Sequence, residues 1–145
     1  MVITGTVERG KQLGRRLGFP TANIRPDEGC ALPPENGVYA AAIWLAGEDA
    51  ARPCMLNQGV HPTVPEGKPT VEANLLDYDG DLYGRRVRVE YLRFLRPERR
   101  FDGLEALRAQ LTRDRRAVAD WLAAAQTAPE PDAAQRRTRE IRWIG

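Results

Sequence analysis

Three glycines spaced by four, Gly10, Gly14 and Gly18, alternate with Lys11, Arg15 and Arg16 in a short stretch without apolar periodicity. Glycines let successive backbone N–H groups converge on an anion, and nearby cations add Coulomb attraction. The stretch is neither a Walker A loop nor a Rossmann fingerprint, because no GK[ST] follows and no βαβ pattern surrounds it. A phosphate cradle and a plain glycine-rich turn both suit these residues. Directly afterwards comes Phe19-Pro20-Thr21-Ala22-Asn23. Pro20 fixes one backbone angle, and in an extended segment Thr21 and Asn23 face the same way. Their hydroxyl and amide oxygens are hard neutral ligands, suited to a Mg²⁺ ion held mostly by substrate phosphates and water; they equally suit a turn that satisfies its own backbone. Glu72 is the third chemical group. On a strand it is an ordinary solvent-facing acid unless the fold brings it beside the Thr21 segment. There its carboxylate could take the proton of an attacking alcohol during phosphoryl transfer.

The elements that must position these groups can be read from the rest of the chain. With 145 residues, 42% hydrophobic and 29% charged, the sequence has material for one ordinary core. The longest apolar run, Val38–Ala46, is far short of the ~20 residues that cross a bilayer. No secretory leader is recognisable at the start. A net charge of +2 gives no general electrostatic case for nucleic acid. His61 is the only histidine, which excludes a multi-histidine metal centre, and Cys30 and Cys54 lie in no CxxC and read as two free, packed thiols.

Eight of the eleven prolines fall between Pro20 and Pro69, none between 98 and 128, and no glycine occurs from 104 to 144. The first two thirds therefore read as strands and loops, followed by a helix. Val2–Glu8, Gly37–Leu45, Pro53–Asn57, Thr70–Asp77 and Arg85–Leu95 are the strand candidates. In the fourth, Val71, Ala73 and Leu75 share one face, opposite Glu72 and Asn74. In the last, Val87, Val89 and Tyr91 share a face, and the polarity swaps after Tyr91, as at a bulge or barrel corner. The turn before it offers Gly80 for a positive φ. A helix from about Gly103 to Ala125 starts at Asp102 with Glu105 three residues on. Its apolar stripe is Leu104, Leu107, Leu111, Val118 and Leu122, expected to cover one end or one side of the sheet. Trp44, Trp121, Tyr83 and Tyr91 read as core. The pattern predicts a mainly β fold, a small antiparallel barrel with a C-terminal α-helix, over residues 1–128. Residues 129–145 form a basic tail that packs back through Ile141, Trp143 and Ile144, with Arg136, Arg137, Arg139 and Arg142 solvated.

From about Ile3 to Trp121 the chain resembles the riboflavin kinase (flavokinase) family. The resemblance rests on Gly5-x-Val7-x-x-Gly10, Gly14-Arg15-x-Leu17-Gly18-Phe19-Pro20-Thr21-Ala22-Asn23, Gly37-Val38-Tyr39, Asn57-x-Gly59-x-x-Pro62-Thr63, Val71-Glu72, Asp81-x-Tyr83-Gly84 and Leu95-Arg96-x-Glu98-x-x-Phe101. It implies a six-stranded antiparallel Greek-key barrel with a C-terminal helix. It also implies transfer of the γ-phosphoryl group of ATP to the ribityl 5′-hydroxyl of riboflavin, giving FMN and ADP. By matched position Glu72 is the general base, and Thr21 and Asn23 hold Mg²⁺ (or another divalent cation) with ATP as co-substrate. Gly10, Gly14, Arg15, Gly18 and Pro20 shape the nucleotide site, and Asn57 and Arg96 are substrate-side or loop-anchoring residues. One departure is His61, where the family more often has arginine just before Pro62-Thr63; loop packing suffices for it.

In the family's bacterial form this unit is commonly half of a bifunctional FAD synthetase. An adenylyltransferase half has no room before Ile3, so this polypeptide is expected to stop at FMN. The expected partners are riboflavin/FMN and ATP/ADP, with no nucleic acid and no membrane, for a monomer in the cytoplasm. Two competing functions fit the same residues: a flavin- or nucleotide-binding relative without catalysis, and a small β-barrel RNA- or protein-binding module using Lys11, Arg15, Arg16 and the tail.

Overall fold

A computed structural model of the chain describes residues 1–8, 21–60, 69–78 and 80–127. Six strands, β1 (Val2–Glu8), β2 (Ala22–Pro26), β3 (Gly37–Leu45), β4 (Arg52–Val60), β5 (Pro69–Leu75) and β6 (Arg86–Pro97), precede one long helix, α1 (Leu104–Thr127). The strands close into an antiparallel barrel in the order β1-β2-β5-β4-β3-β6. Strands β3, β4 and β5 form a meander, and β2 reaches β3 only by crossing the barrel end through residues 27–36, which is the Greek-key connection. Closure leaves no unpaired edge.

Side-chain alternation sorts the strands into an inside and an outside. Ile3, Val7, Ile24, Tyr39, Ala41, Ile43, Leu56, Val71, Ala73, Leu75, Val87, Val89 and Tyr91 fill the interior. Val38, Ala40 and Met55 point outward and are covered by Val118 of α1, with Leu107, Leu111, Trp121 and Leu122 around it. This explains why every residue of β3 is buried: its inner face is barrel core, and its outer face lies beneath the helix. The helix covers a side of the barrel, not its open end.

Several expectations need correction. β2 is a sixth strand that the sequence reading left as an extended loop. Leu104 is 58% exposed and does not belong to the helix's buried stripe, and Tyr83 is 54% exposed and not core. The glycine with a left-handed backbone in the β5–β6 connection is Gly84 (φ 81°). There the Tyr83 N–H donates to Asp81 Oδ1 (2.9 Å) and the Arg85 N–H to the Leu82 carbonyl (2.9 Å). The Asp81-x-Tyr83-Gly84 motif is thus a turn that closes on itself.

The polarity swap in β6 has a structural cause. Ala41 pairs with Tyr91 but Ala40 with Arg93, and Tyr39 pairs with Phe94 but Val38 with Arg96. Leu92 and Leu95 are each one residue in excess, so the strand bulges twice and bends around the barrel corner. Gly5 of the first motif is required by a close approach: a Cβ there would run into the Arg25 carbonyl of β2.

The barrel end beneath residues 27–36 is sealed by polar contacts. Gln58 is fully buried. Its amide donates to the Pro33 carbonyl (2.7 Å) and to Asn36 Oδ1 (3.2 Å), and its oxygen accepts from the Tyr91 hydroxyl (2.9 Å). The Tyr39 hydroxyl donates to the Glu35 carbonyl, and its ring meets Tyr91 edge-on at 4.9 Å. Cys30 and Cys54 are both free, the second fully buried with its thiol pushed up to about 12 by burial.

At the end of β2, Asp27 accepts two bonds from Arg86 (2.7 Å each) and one from the Thr4 hydroxyl (2.7 Å). These hydrogen bonds, led by those from Arg86, hold the Asp27 carboxyl well below the usual carboxylate range. A carboxyl held low in the folded state stabilises the fold above its unfolded value and loses that contribution as pH falls toward the folded one. Asp27→Asn is therefore expected to flatten the acid side of the stability–pH curve below about pH 4, with little change at pH 7 to 8 in the slope of that curve. Urea melts across pH 2 to 8 check this.

Candidate functional site

Asn23 and Glu72 are direct cross-strand partners on β2 and β5. Glu72 is in turn paired with Asn57 of β4, and Asn23 with Glu8 of β1. Continuing around the barrel, Asn57 pairs with Val38 and Val38 with Arg96. These six residues form one transverse row. Directly opposed residues lie about 4.5–5.5 Å apart and project from the same face.

That face is the outer one. Ala22 and Ile24 pack on the interior, as do Val71 and Ala73 beside Glu72 and Leu56 beside Asn57. Asn23, Glu72 and Asn57 therefore stand outside, all half-buried, and Thr21 precedes β2 in the same phase as Asn23. The groups that the sequence separates by some fifty positions meet because β5 inserts beside β2. The row is covered by α1 at Val38 and open at Asn57, Glu72 and Asn23. A cavity of about 800 Å³ opens alongside β2, with a wall running from Glu8 and Asn23 past Arg25 and Pro33 to Gln58 and Thr70.

Arg96 is committed elsewhere. Its Nε and Nη2 donate to the two carboxylate oxygens of Asp114 on α1 (2.8 and 2.6 Å), and the side chains are only 17% and 5% exposed. Gln110 adds a bond to Asp114 Oδ1 (2.8 Å) and accepts from Arg99 (3.3 Å) and Arg113 (3.0 Å). The guanidinium carbons of Arg96 and Arg99 lie 5.9 and 5.4 Å from the Phe101 ring centre. Arg96 thus anchors the helix and the turn before it to β6. Asp114 and Gln110 went unread in the sequence because a pair eighteen residues apart on two elements leaves no local spacing signal. Gly59 belongs to the same corner: a Cβ there would strike the Glu98 carboxylate, which explains why Asn57-x-Gly59 and Arg96-x-Glu98 occur together.

Gly10, Gly14, Arg15, Gly18 and Pro20 lie outside the described residues, as do Lys11, Arg16, His61 and the tail from 129. Among the described residues no three His, Cys, Asp or Glu side chains form a group that could hold a metal. An all-protein metal cage is therefore not what this face offers. Two neutral oxygens beside one carboxylate suit a magnesium ion that keeps its water and substrate ligands. No described helix is long and apolar enough to cross a membrane.

Comparison with known proteins places this geometry in context. The family model described as Flavokinase: Riboflavin kinase matches residues 1–122. The bifunctional riboflavin kinase/FMN adenylyltransferase of Escherichia coli K12 is 41% identical over 112 residues, which is 77% of this chain and 35% of that protein. This chain thus spans about a third of that relative's length. The fold is similar to a riboflavin kinase from Trypanosoma brucei (TM-score 0.61, 25% identity, 91% of this chain and 92% of that one). It is also similar to a Streptococcus pneumoniae structure described as a macrolide-efflux protein (TM-score 0.74, 28% identity, 83% of this chain and 38% of that one). With the model matched over the barrel and most of the helix, the chain belongs to the riboflavin kinase (flavokinase) family.

Proposed function

We propose that the protein is an ATP-dependent riboflavin kinase, transferring the γ-phosphoryl group of ATP to the 5′-hydroxyl of the ribityl chain to give FMN and ADP. The observation that carries this reading is the pairing of Asn23 with Glu72 on the open outer face, in a chain of the flavokinase family. Phosphoryl transfer asks for positioning and charge stabilisation more than for covalent chemistry. A rigid barrel wall presenting an amide, a hydroxyl and a carboxylate within one or two strand spacings supplies the positioning.

In this reading Thr21 and Asn23 hold the metal–nucleotide complex through their side-chain oxygens. When bound, Mg²⁺ neutralises charge on the phosphate oxygens. Glu72 accepts the proton of the ribityl hydroxyl as its oxygen attacks phosphorus. Asn57, on the other side of Glu72, orients the alcohol or the carboxylate by hydrogen bonding. Gly10, Gly14, Arg15, Gly18 and Pro20 cover the nucleotide phosphates. Arg96 acts indirectly, by fixing α1 and residues 98–103 at the border of the site. The protein works in the cytoplasm as a monomer.

Incubation of the pure protein with riboflavin, ATP and Mg²⁺ is the direct test: FMN and ADP should appear in equal amounts, and ADP without FMN contradicts the reading. Thr21→Ala should raise the KM for Mg-ATP by about tenfold, as expected for one lost bond to a charged group. The KM for riboflavin should stay within about twofold. An unchanged dependence on Mg²⁺ concentration in that variant counts against Thr21 as a ligand.

A further inference from the structure

We propose that Arg108, on the flank of α1 that faces β5, is a specificity residue for the acceptor, gripping the carbonyl edge of the flavin ring above Asn57 and Glu72. This rests on the kinase reading above. The helix phase is fixed from two sides. Gln110, Asp114 and Val118 are buried and mark the face turned to the barrel. Arg115 donates to the Leu76 carbonyl just beyond β5, so its flank looks toward β5. Arg108 precedes Arg115 by seven residues, which returns it to the same flank within about 20°.

Height follows from the rise per residue. Arg108 lies about 10 Å from Arg115 toward the helix N-terminus. Glu72 lies about 13 Å back from Leu76 along β5. Both elements run from the same end of the barrel, where β6 ends opposite Gly37 of β3 and β5 starts opposite Val60 of β4. Arg108 therefore stands at about the height of Glu72 and its partner Asn57, across the open part of the row.

The neighbouring arginines are occupied: Arg96 by Asp114, Arg99 and Arg113 by Gln110, Arg115 by Leu76. Arg108 is exposed, and among the described residues its side chain makes no hydrogen bond or ion pair. One turn earlier on the same flank, Leu104 exposes 58% of its surface. An apolar side chain next to a planar cation suits a flat heteroaromatic ring bearing carbonyl oxygens. It does not suit a bare phosphate, which has no apolar surface to bury. Continuity with the Asn57–Glu72 face selects the alcohol substrate over the nucleotide as its occupant.

Steady-state kinetics on Arg108→Ala, Arg108→Lys and Arg116→Ala test this, with thermal melts alongside. Arg116 is exposed and sits about 80° further round the helix. Arg108→Ala should raise the KM for riboflavin about tenfold, the loss expected for one charge-assisted hydrogen bond. The KM for ATP should stay within about twofold and the melting temperature unchanged. Arg108→Lys should fall in between, since an ammonium keeps the charge and loses the planar fork. Arg116→Ala should match the parent protein. A normal riboflavin KM in Arg108→Ala, or equal rises in both KM values, overturns the proposal and leaves the kinase reading standing. A parent protein that makes no FMN removes both.

Discussion

Glu72→Gln is expected to lower kcat for FMN formation by about 10²–10⁴-fold, the usual contribution of a positioned general base. The amide keeps the size and the place of the carboxylate on β5 but cannot take a proton. Its neighbours Val71 and Ala73 remain in the barrel interior, so the strand has no reason to move. Mg-ATP binding should persist, because the groups assigned to the nucleotide are Thr21, Asn23 and the glycine-rich segment. Single-turnover kinetics with separate nucleotide titration would distinguish the two effects. Near-normal turnover removes Glu72 from its role. Lost nucleotide binding with intact folding assigns it to the metal instead.

The second large effect concerns stability. Asp114→Ala is expected to destabilise the fold by about 3–5 kcal/mol, the range for breaking a buried ion pair and leaving one charge without its partner. Both carboxylate oxygens are used by Arg96, and Gln110 shares one of them. The helix would lose its bond to β6, and Gln110 its place in the network. Replacing both partners, as in Arg96→Met/Asp114→Leu, should recover most of the loss, since apolar groups of similar volume carry no desolvation penalty. Urea midpoints of the single and double variants measure this. A double variant as unstable as the single one would mean that the pair itself, and not the orphaned charge, sets the cost.

These two residues also show where the sequence was readable. Glu72 sits in a strand whose alternation is clean, so its outward orientation could be inferred from Val71, Ala73 and Leu75 alone. Its pairing with Asn23 could not, because strand order is set by long-range closure and leaves no local spacing. The family resemblance, not periodicity, predicted that the two meet. β2 escaped the pattern reading because five residues ending in Pro26 are too few to show a period; only the structure reveals Ala22 and Ile24 inward and Asn23 outward. The two bulges of β6 were announced by the polarity swap after Tyr91, since an extra residue inverts the faces of everything beyond it. Leu104 was misplaced for a related reason. It has the spacing of the buried stripe but falls at the stripe's margin, on the flank toward β5, where the barrel no longer covers it. Asp114 carries no signal as a lone acid on a helix rich in charge, and becomes legible only once β6 lies beneath it.

A structure of the protein with Mg²⁺, ADP and riboflavin bound tests the central claim most directly. The account predicts the metal about 2.0–2.1 Å from the Thr21 hydroxyl and Asn23 amide oxygens, with the ribityl 5′-oxygen about 2.6–3.2 Å from the Glu72 carboxylate. A metal–nucleotide complex bound away from Thr21 and Asn23, or a ribityl chain ending out of reach of Glu72, would contradict it.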